Sequence, residues 1–336
     1  MNKTSQKHTT AGRELPPFLP TGVKRMNNGT SGKNARREAI QGYLYILPWV
    51  AGFLLFLAIP MVASLLLSFT NWDTIETPEW IGLANYKELF ADELFFKSMK
   101  VTLYYTALSV PLGIVVGLSL SLLLNAKVKG INLFRTLFYL PSIISGVAVA
   151  MLFRWILNDE YGLLNYLLSI VGISGPDWFA DPRWIVPGYV VMSLWGVGGG
   201  AIIYLGGLQN IPVQLYEAAK IDGAGVWQRF WKITLPLITP TIFFLILTGI
   251  IGAFQIFTQA YVASGTNGGP ESAGLFFMLY LYEQAFQLHH MGYASAMAWV
   301  GSLITMSLAL IVYQTQYKWV YYGAEIEKKR RKGRRT

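Results

Sequence analysis

Two groups of residues carry the side-chain chemistry this sequence has to offer. The first is LQNIPVQLYEAAKIDGAGVWQRFWKITLP, residues 208–236. Glu217 offers a carboxylate that an arginine of another protein could hold through paired hydrogen bonds. Ala218 and Ala219 leave a helix face slim enough to enter a groove. Pro212 suits the first helical turn, and Gly223 can end that helix in a left-handed conformation. Beyond it, Val226, Trp227, Phe230 and Trp231 oppose Gln228, Arg229 and Lys232, the pattern of an amphipathic helix at a membrane surface. The second group lies in GAFQIFTQAYVASG, residues 252–265. There Gln255, Thr258 and Gln259 stand at i, i+3 and i+4, one helix face, with Phe254, Phe257 and Tyr261 close by. Trp195 and Tyr204 in the preceding apolar stretch add weaker candidates. Amides and hydroxyls bond sugar hydroxyls and aromatic faces pack on pyranose rings, so this set suits an uncharged carbohydrate.

Other chemistries lack their residues. The chain has no cysteine, which removes thiolate metal sites and cysteine nucleophiles. Its three histidines are His8 and the neighbours His289 and His290, too few and badly spaced for a metal site. The nearest approach to a phosphate-binding loop, NNGTSGKN, has Asn27 for the first glycine and Asn34 after Gly32-Lys33, where Ser or Thr is required. The carboxylates are scattered over separate loops and make no acid and base pair. No catalytic residue and no metal ligand is expected.

The elements that position these groups are membrane helices. Of 336 residues 53% are hydrophobic and only 13% charged, about half the charge of an ordinary soluble domain. Six stretches reach the roughly 20 apolar residues needed to cross a bilayer: 43–70, 101–125, 133–157, 185–208, 235–262 and 293–317. Pro48, Pro60, Pro111, Pro141, Pro187 and Pro240 read as kinks within them, which neighbouring membrane helices tolerate. Gly113 with Gly117, and Gly196 with Gly200, have the spacing that lets helices approach closely.

Charge placement sets the orientation. With both termini inside, only Lys87, Lys97, Lys100, Arg154 and Arg183 of the 27 basic residues lie outside, as the excess of cytoplasmic Lys and Arg requires. The net charge of +9 thus reflects topology and not nucleic acid. Residues 1–42 read as a disordered basic cytoplasmic tail, 43–320 as the membrane domain with a cytoplasmic loop at 209–236, and 321–336 as a second basic tail near membrane lipid. No charged residue falls in the middle of a span, which disfavours an ion or a strongly charged solute.

Glu217-Ala218-Ala219, then Gly223, Ile233 and Leu235-Pro236, resemble without departure the signature of binding-protein-dependent ABC importer permeases. IGLANYKELF, LFRTLFYLPSIISGVAVAMLFRWIL and NGGP, in this order, are similar to its carbohydrate-uptake branch, of the maltose and glycerol-3-phosphate type. The resemblance covers about Tyr43 to Tyr317. It implies an all-α polytopic protein of the type I ABC importer permease fold, in a bacterial cell membrane with both termini cytoplasmic. It also implies a second homologous permease, two cytoplasmic ATPase subunits that bind ATP and Mg, and an extracytoplasmic solute-binding protein. Glu217 to Gly223 would then seat in an ATPase cleft. The expected cargo is a sugar or oligosaccharide, with glycerol phosphate or another polyol as the alternative. A secondary transporter, the rival of another class, should show intramembrane carboxylates and internal repeats, and neither is evident.

Overall fold

A computed structural model describes residues 32–321, with side chains from Arg36. Residues 1–31 and 322–336 of the expected basic tails lie outside the described residues, whereas residues 32–42, expected to belong to the disordered tail, are helical and begin α1. Two units are distinguished, Met1–Pro60 and Met61–Thr336. In the first, α1 (Gly32–Phe53) starts well before the apolar stretch and holds Pro48 in its interior, followed by a π-turn at Leu54–Ala58.

The second unit opens with α2 (Ile59–Leu67) and a two-residue antiparallel ladder, Thr70↔Trp80 and Asn71↔Glu79. Then come α3 (Ala84–Leu89), α4 (Glu93–Leu124), α5 (Ile131–Tyr139), α6 (Gly146–Ile156) and α7 (Leu163–Ile170). The order continues with α8 (Ile185–Trp195), α9 (Gly198–Gln209), α10 (Val213–Ile221), α11 (Val226–Arg229) and α12 (Leu235–Phe254). It ends with α13 (Thr258–Ser264), α14 (Phe277–Tyr282) and α15 (Met291–Trp319). The fold is all-α apart from the short ladder.

Among the described residues four helical stretches are long and apolar enough to cross a membrane: Arg36–Leu67, Glu93–Leu124, Val226–Phe254 and Met291–Trp319. Six result if each of two bent pairs counts as one span. Ile131–Ile143 meets Gly146–Ile156 at 97°, and Ile185–Trp195 meets Gly198–Gln209 at 52°. Pro111 and Pro240 sit inside helices as expected. Pro141 does not: it lies in a 3-10 turn at Leu140–Ile143, so the third span ends one helix there and begins another. The fourth span breaks at Gly196-Val197, nine residues after the proline expected to bend it.

Two apolar cores organise the second unit. The larger joins Phe95, Tyr189, Phe254, Phe276 and Met297 with their neighbours, and the smaller joins Leu118, Tyr204, Leu208 and Ile238. Polar fastenings close one end of the helix bundle. Buried Asn85 donates to the carbonyls of Ser68 and Thr70, both at 2.9 Å. Thr102 accepts the backbone N–H of Phe277 at 2.9 Å, which anchors α14 to α4.

Asp92 concentrates three such bonds. Its Oδ1 accepts the N–H of Leu94 at 2.8 Å and caps α4. Its Oδ2 accepts the hydroxyls of Tyr280 at 2.5 Å and Tyr293 at 2.6 Å. Burial, aided by the Asp92 carboxylate, raises the Tyr280 hydroxyl well above its ordinary pKa, so it remains a protonated donor. One carboxylate thereby pins α4, α14 and α15 together.

Asp92→Ala is expected to lose a cap worth about 1 kcal/mol and to strand two hydroxyls at roughly 1–3 kcal/mol each. Asp92→Asn keeps the cap and should lose less. Thermal unfolding in detergent checks the order wild type, Asn, Ala; equal melting temperatures would contradict it.

Candidate functional site

Three helix breaks meet around one cavity. The third span breaks at Leu140–Ser145, the fourth at Gly196-Val197 and the fifth at Gln255–Phe257, between α12 and α13. A cavity of about 450 Å³ sits among them, lined by Tyr105, Ser142, Ser193, Trp195, Gln255 and Gln259. Glycine lets the breaks interlock. A Cβ on Gly198 would lie 1.8 Å from the carbonyl oxygen of Phe138, an overlap no side chain survives. One on Gly146 would stand 3.2 Å from Nε2 of Gln259. The fourth span therefore rests on the end of α5, and the start of α6 rests on the start of α13.

Local bonds satisfy the broken backbone. Ser145 caps α6 through Ala148 N at 3.4 Å, and Ser142 donates to Tyr139 O at 2.7 Å. Val197 N reaches Leu194 O at 3.3 Å, and Gln255 N reaches Gly252 O at 3.1 Å. Side chains near the breaks remain free to face the cavity.

Of the residues that the sequence singles out, the structure gathers Trp195, Gln255 and Gln259 here. It separates the others. The helix ends at Phe254, so Gln255, Thr258 and Gln259 do not share one continuous helical face. Phe254 is buried in the larger core. Thr258 lies beside Gly146. Tyr261 packs on Phe257 and Tyr282, away from the cavity. Tyr204 lines a neighbouring cavity of about 290 Å³, walled largely by Gly113, Gly196, Gly200, Gly249 and Gly252. Its hydroxyl is buried and has no hydrogen-bond partner among the described residues. Gly117 provides the helix contact expected of it, against Tyr204 and Val197.

Tyr105, Ser142, Tyr189 and Ser193 escaped the sequence reading. Tyr105 has Thr102 and Ser109 at i−3 and i+4, and Tyr189 has Ser193 at i+4, but serine and threonine hydroxyls in helices commonly bond their own backbone, as Ser193 does with Val190 O at 2.7 Å. Phenols with hydroxyl companions on one helix face are the available signal.

The 208–236 stretch forms a compact projection. Pro212 stands just before the first turn of α10. The helix runs through Glu217, Ala218 and Ala219, and Gly223 follows it at φ +75°. Ala224 N closes the end on Ala219 O at 2.8 Å, the left-handed stop that glycine favours. Glu217 and Ala218 are exposed, and so is Ile221, at 87%. The second amphipathic piece is not a separate surface helix. It continues through a π-turn at Phe230–Thr234 into α12, one helical stretch from Val226 to Phe254. Ile233, Leu235 and Phe230 pack against the smaller core, and Tyr216 OH meets Thr234 Oγ1 at 2.9 Å. Pro236 lies inside this continuous stretch directly after the π-turn, where its missing N–H leaves a carbonyl of the preceding turn without that helical bond. Core packing and the Tyr216–Thr234 bond thus fix α10 to the base of the fifth span.

Known proteins share this arrangement. The profile of the "Binding-protein-dependent transport system inner membrane component" family matches residues 109–319. The chain belongs to this family. The permease is 45% identical over 298 residues to "Probable ABC transporter permease protein YesP" of Bacillus subtilis, covering 88% of this chain and 96% of the relative. It is 32% identical to "Trehalose/maltose transport system permease protein MalF" of Thermococcus litoralis, covering 85% and 97%. It also matches a chain of a bacterial alginate ABC transporter solved in complex with an alginate pentasaccharide-bound periplasmic protein. That match has a TM-score of 0.73 and 27% identity and covers 84% of this chain and 96% of that one. The permease is accordingly a membrane-embedded transport component with the type I ABC importer fold, not an enzyme.

Gly198→Ala should lower the melting temperature in detergent, by an overpacking cost of roughly 1–3 kcal/mol. Gly200→Ala, whose new methyl would meet nothing within 4 Å, should stay near wild type. Equal effects of the two would refute the interlock of breaks.

Proposed function

We propose that this permease forms half of a path through which an ATP-driven importer takes up a sugar or oligosaccharide. The observation that carries the reading is the cavity where three helix breaks converge. Irregular backbone at membrane depth is sustained only where it is packed in protein or lines an aqueous space. The amides of Gln255 and Gln259, the hydroxyls of Tyr105, Ser142 and Ser193 and the indole of Trp195 form an uncharged wall suited to a hydroxyl-rich solute. A relative named for trehalose and maltose transport, and a neighbour solved with an alginate pentasaccharide-bound periplasmic protein, support a saccharide cargo.

In this reading residues 43–320 are the membrane domain and 209–236 its cytoplasmic coupling loop, and both termini are cytoplasmic. A second, homologous permease encloses the other half of the path. Two ATPase subunits, which hold ATP and Mg, dock on the loop, and a solute-binding protein delivers cargo from outside. Glu217, Ala218, Ala219 and Gly223 form the docking face; Ile233, Leu235 and Pro236 join it to the fifth span. Closure of the ATPase pair displaces α10, and the Tyr216–Thr234 bond and the inner core carry that displacement to α12. Since α12 ends at Gln255, the lever acts on the cavity wall itself. Rigid-body rocking of this kind alternates access without any reaction in this chain.

Gly223→Val tests the loop, because φ +75° excludes a β-branched residue. The variant should insert normally, lose co-purification with its ATPase by tenfold or more, and lose uptake of radiolabelled sugar. Normal attachment and uptake would remove the coupling role. Uptake that survives deletion of the ATPase would remove the importer reading altogether.

A further inference from the structure

Three cavities succeed one another along the fifth span. The inner one touches Leu245, Gly249 and Ala253, the central one Gln255 and Gln259, and an outer one of about 540 Å³ touches Ala263, Ser264 and Gly269. The fourth span runs antiparallel and repeats the series in reverse: Tyr204 lines the inner cavity, Met192 and Trp195 the central one. In the third span, Ser142 to Val149 line the central cavity, and Met151 to Asn158 the outer one. Three spans agree on one order from the cytoplasmic to the outer side.

The partition between the central and outer cavities is a hydrogen bond. Tyr189 lines the central cavity and Ser264 the outer one, and their hydroxyls meet at 2.6 Å. Tyr189 also donates to Ala260 O at 3.3 Å, and the residue is 1% exposed. Phe276, wholly buried, supports the ring edge-to-face at 5.0 Å and 88°. The same phenyl supports Tyr105, which lines both the central and the inner cavities, at 5.3 Å and 86°. A phenol held on one side by packing and on the other by two polar contacts to α13, the shorter of them to Ser264, can swing away once these contacts break.

We propose that Tyr189 and Ser264 form the closed outer gate of the path, separating an outer receiving chamber from the central cavity. The chamber's wall has the chemistry for a hydroxyl-rich solute. Trp155 and Tyr161 offer exposed aromatic faces, Arg154 offers donors, and Asp159 and Asp177 offer acceptors. The three charged side chains there make no ion pair among the described residues, which leaves them available to hydroxyls. Its volume lies within the roughly 300–1,000 Å³ typical of small-molecule sites. A saccharide released outside would rest there until the pair parts. The cargo assignment rests on the carbohydrate reading above; the gate itself rests only on geometry.

Thiol accessibility tests the gate in the fully assembled importer, because this chain has no native cysteine. Ser142→Cys reports on the central cavity and Ala180→Cys on the outer chamber. Cells expressing each are treated from outside with a membrane-impermeant methanethiosulfonate reagent, and the mass shift of this chain is followed with time. Ala180→Cys should react quickly in every background. Ser142→Cys should react slowly alone and about fivefold faster when combined with Tyr189→Phe or with Ser264→Ala, the change that loss of one ordinary hydrogen bond produces. Tyr189→Phe retains the ring on Phe276, so the fold is preserved, and Ser264→Ala breaks the bond from the other side. Ser142→Cys rates within twofold across all three backgrounds would overturn the gate, as would protection of Ala180→Cys in the otherwise native chain. Sugar uptake measured on the same strains reads the functional proposal separately: loss of sugar specificity with the labelling pattern intact would refute the cargo and leave the gate standing.

Discussion

A bilayer offers no water to an unpaired peptide group, and the architecture of this permease follows from that constraint. Three of its apolar stretches are nevertheless broken, at Leu140–Ser145, Gly196-Val197 and Gln255–Phe257. The breaks are sustained because each is short, capped by its own residues, and set against another break. Ser145 caps α6, Val197 N returns to Leu194 O, and Gln255 N returns to Gly252 O. Gly198 and Gly146 bring the broken segments into contact. Irregular backbone is thereby concentrated around one cavity, where polar side chains cost least.

The same breaks connect the projection at residues 208–236 to the cavity. A continuous helical stretch runs from Val226, at the projection, to Phe254, next to the cavity-lining Gln255, with a π-turn at Phe230–Thr234 and Pro236 and Pro240 within it. Ile233 and Leu235 are held in the inner core and Tyr216 in α10 is bonded to Thr234. The helix ends at Gln255, so in the proposed mechanism movement applied at the projection reaches the residues that line the cavity. At the other end of the bundle, the Asp92 clasp fixes α4, α14 and α15 to one another.

Much of this was legible in the sequence, for physical reasons. Apolar length reports the spans, because the bilayer's thickness imposes it. The loop from Glu217 to Pro236 is legible because its glycine and its small residues each meet a local requirement, and Gly223 takes the left-handed conformation that its position after the helix predicts. The breaks were misplaced because prolines were treated as the places where helices bend. Pro141 ends a helix, whereas Pro187 sits undisturbed in the first turn of α8. The fourth span breaks at Gly196-Val197 because Gly198 must approach Phe138 across the structure, a tertiary demand that leaves only a run of glycines as its trace. That error carried into the site: treating residues 252–265 as one helix put Gln255 on the face of Thr258 and Gln259. Tyr105, Tyr189 and Ser193 went unseen because their importance lies in which other spans they face.

The central claim is that the cavity at the meeting of the three breaks holds the solute inside the membrane. Photo-crosslinking tests it most directly, with the purified importer assembled with its partners and incubated with a photoreactive derivative of the saccharide that the wild-type cells accumulate. Peptide mass spectrometry then locates the adducts on this chain. The account predicts adducts within residues 141–149 and 252–259 that unlabelled saccharide suppresses. Suppressible adducts confined to other segments, with none in these two, would contradict it.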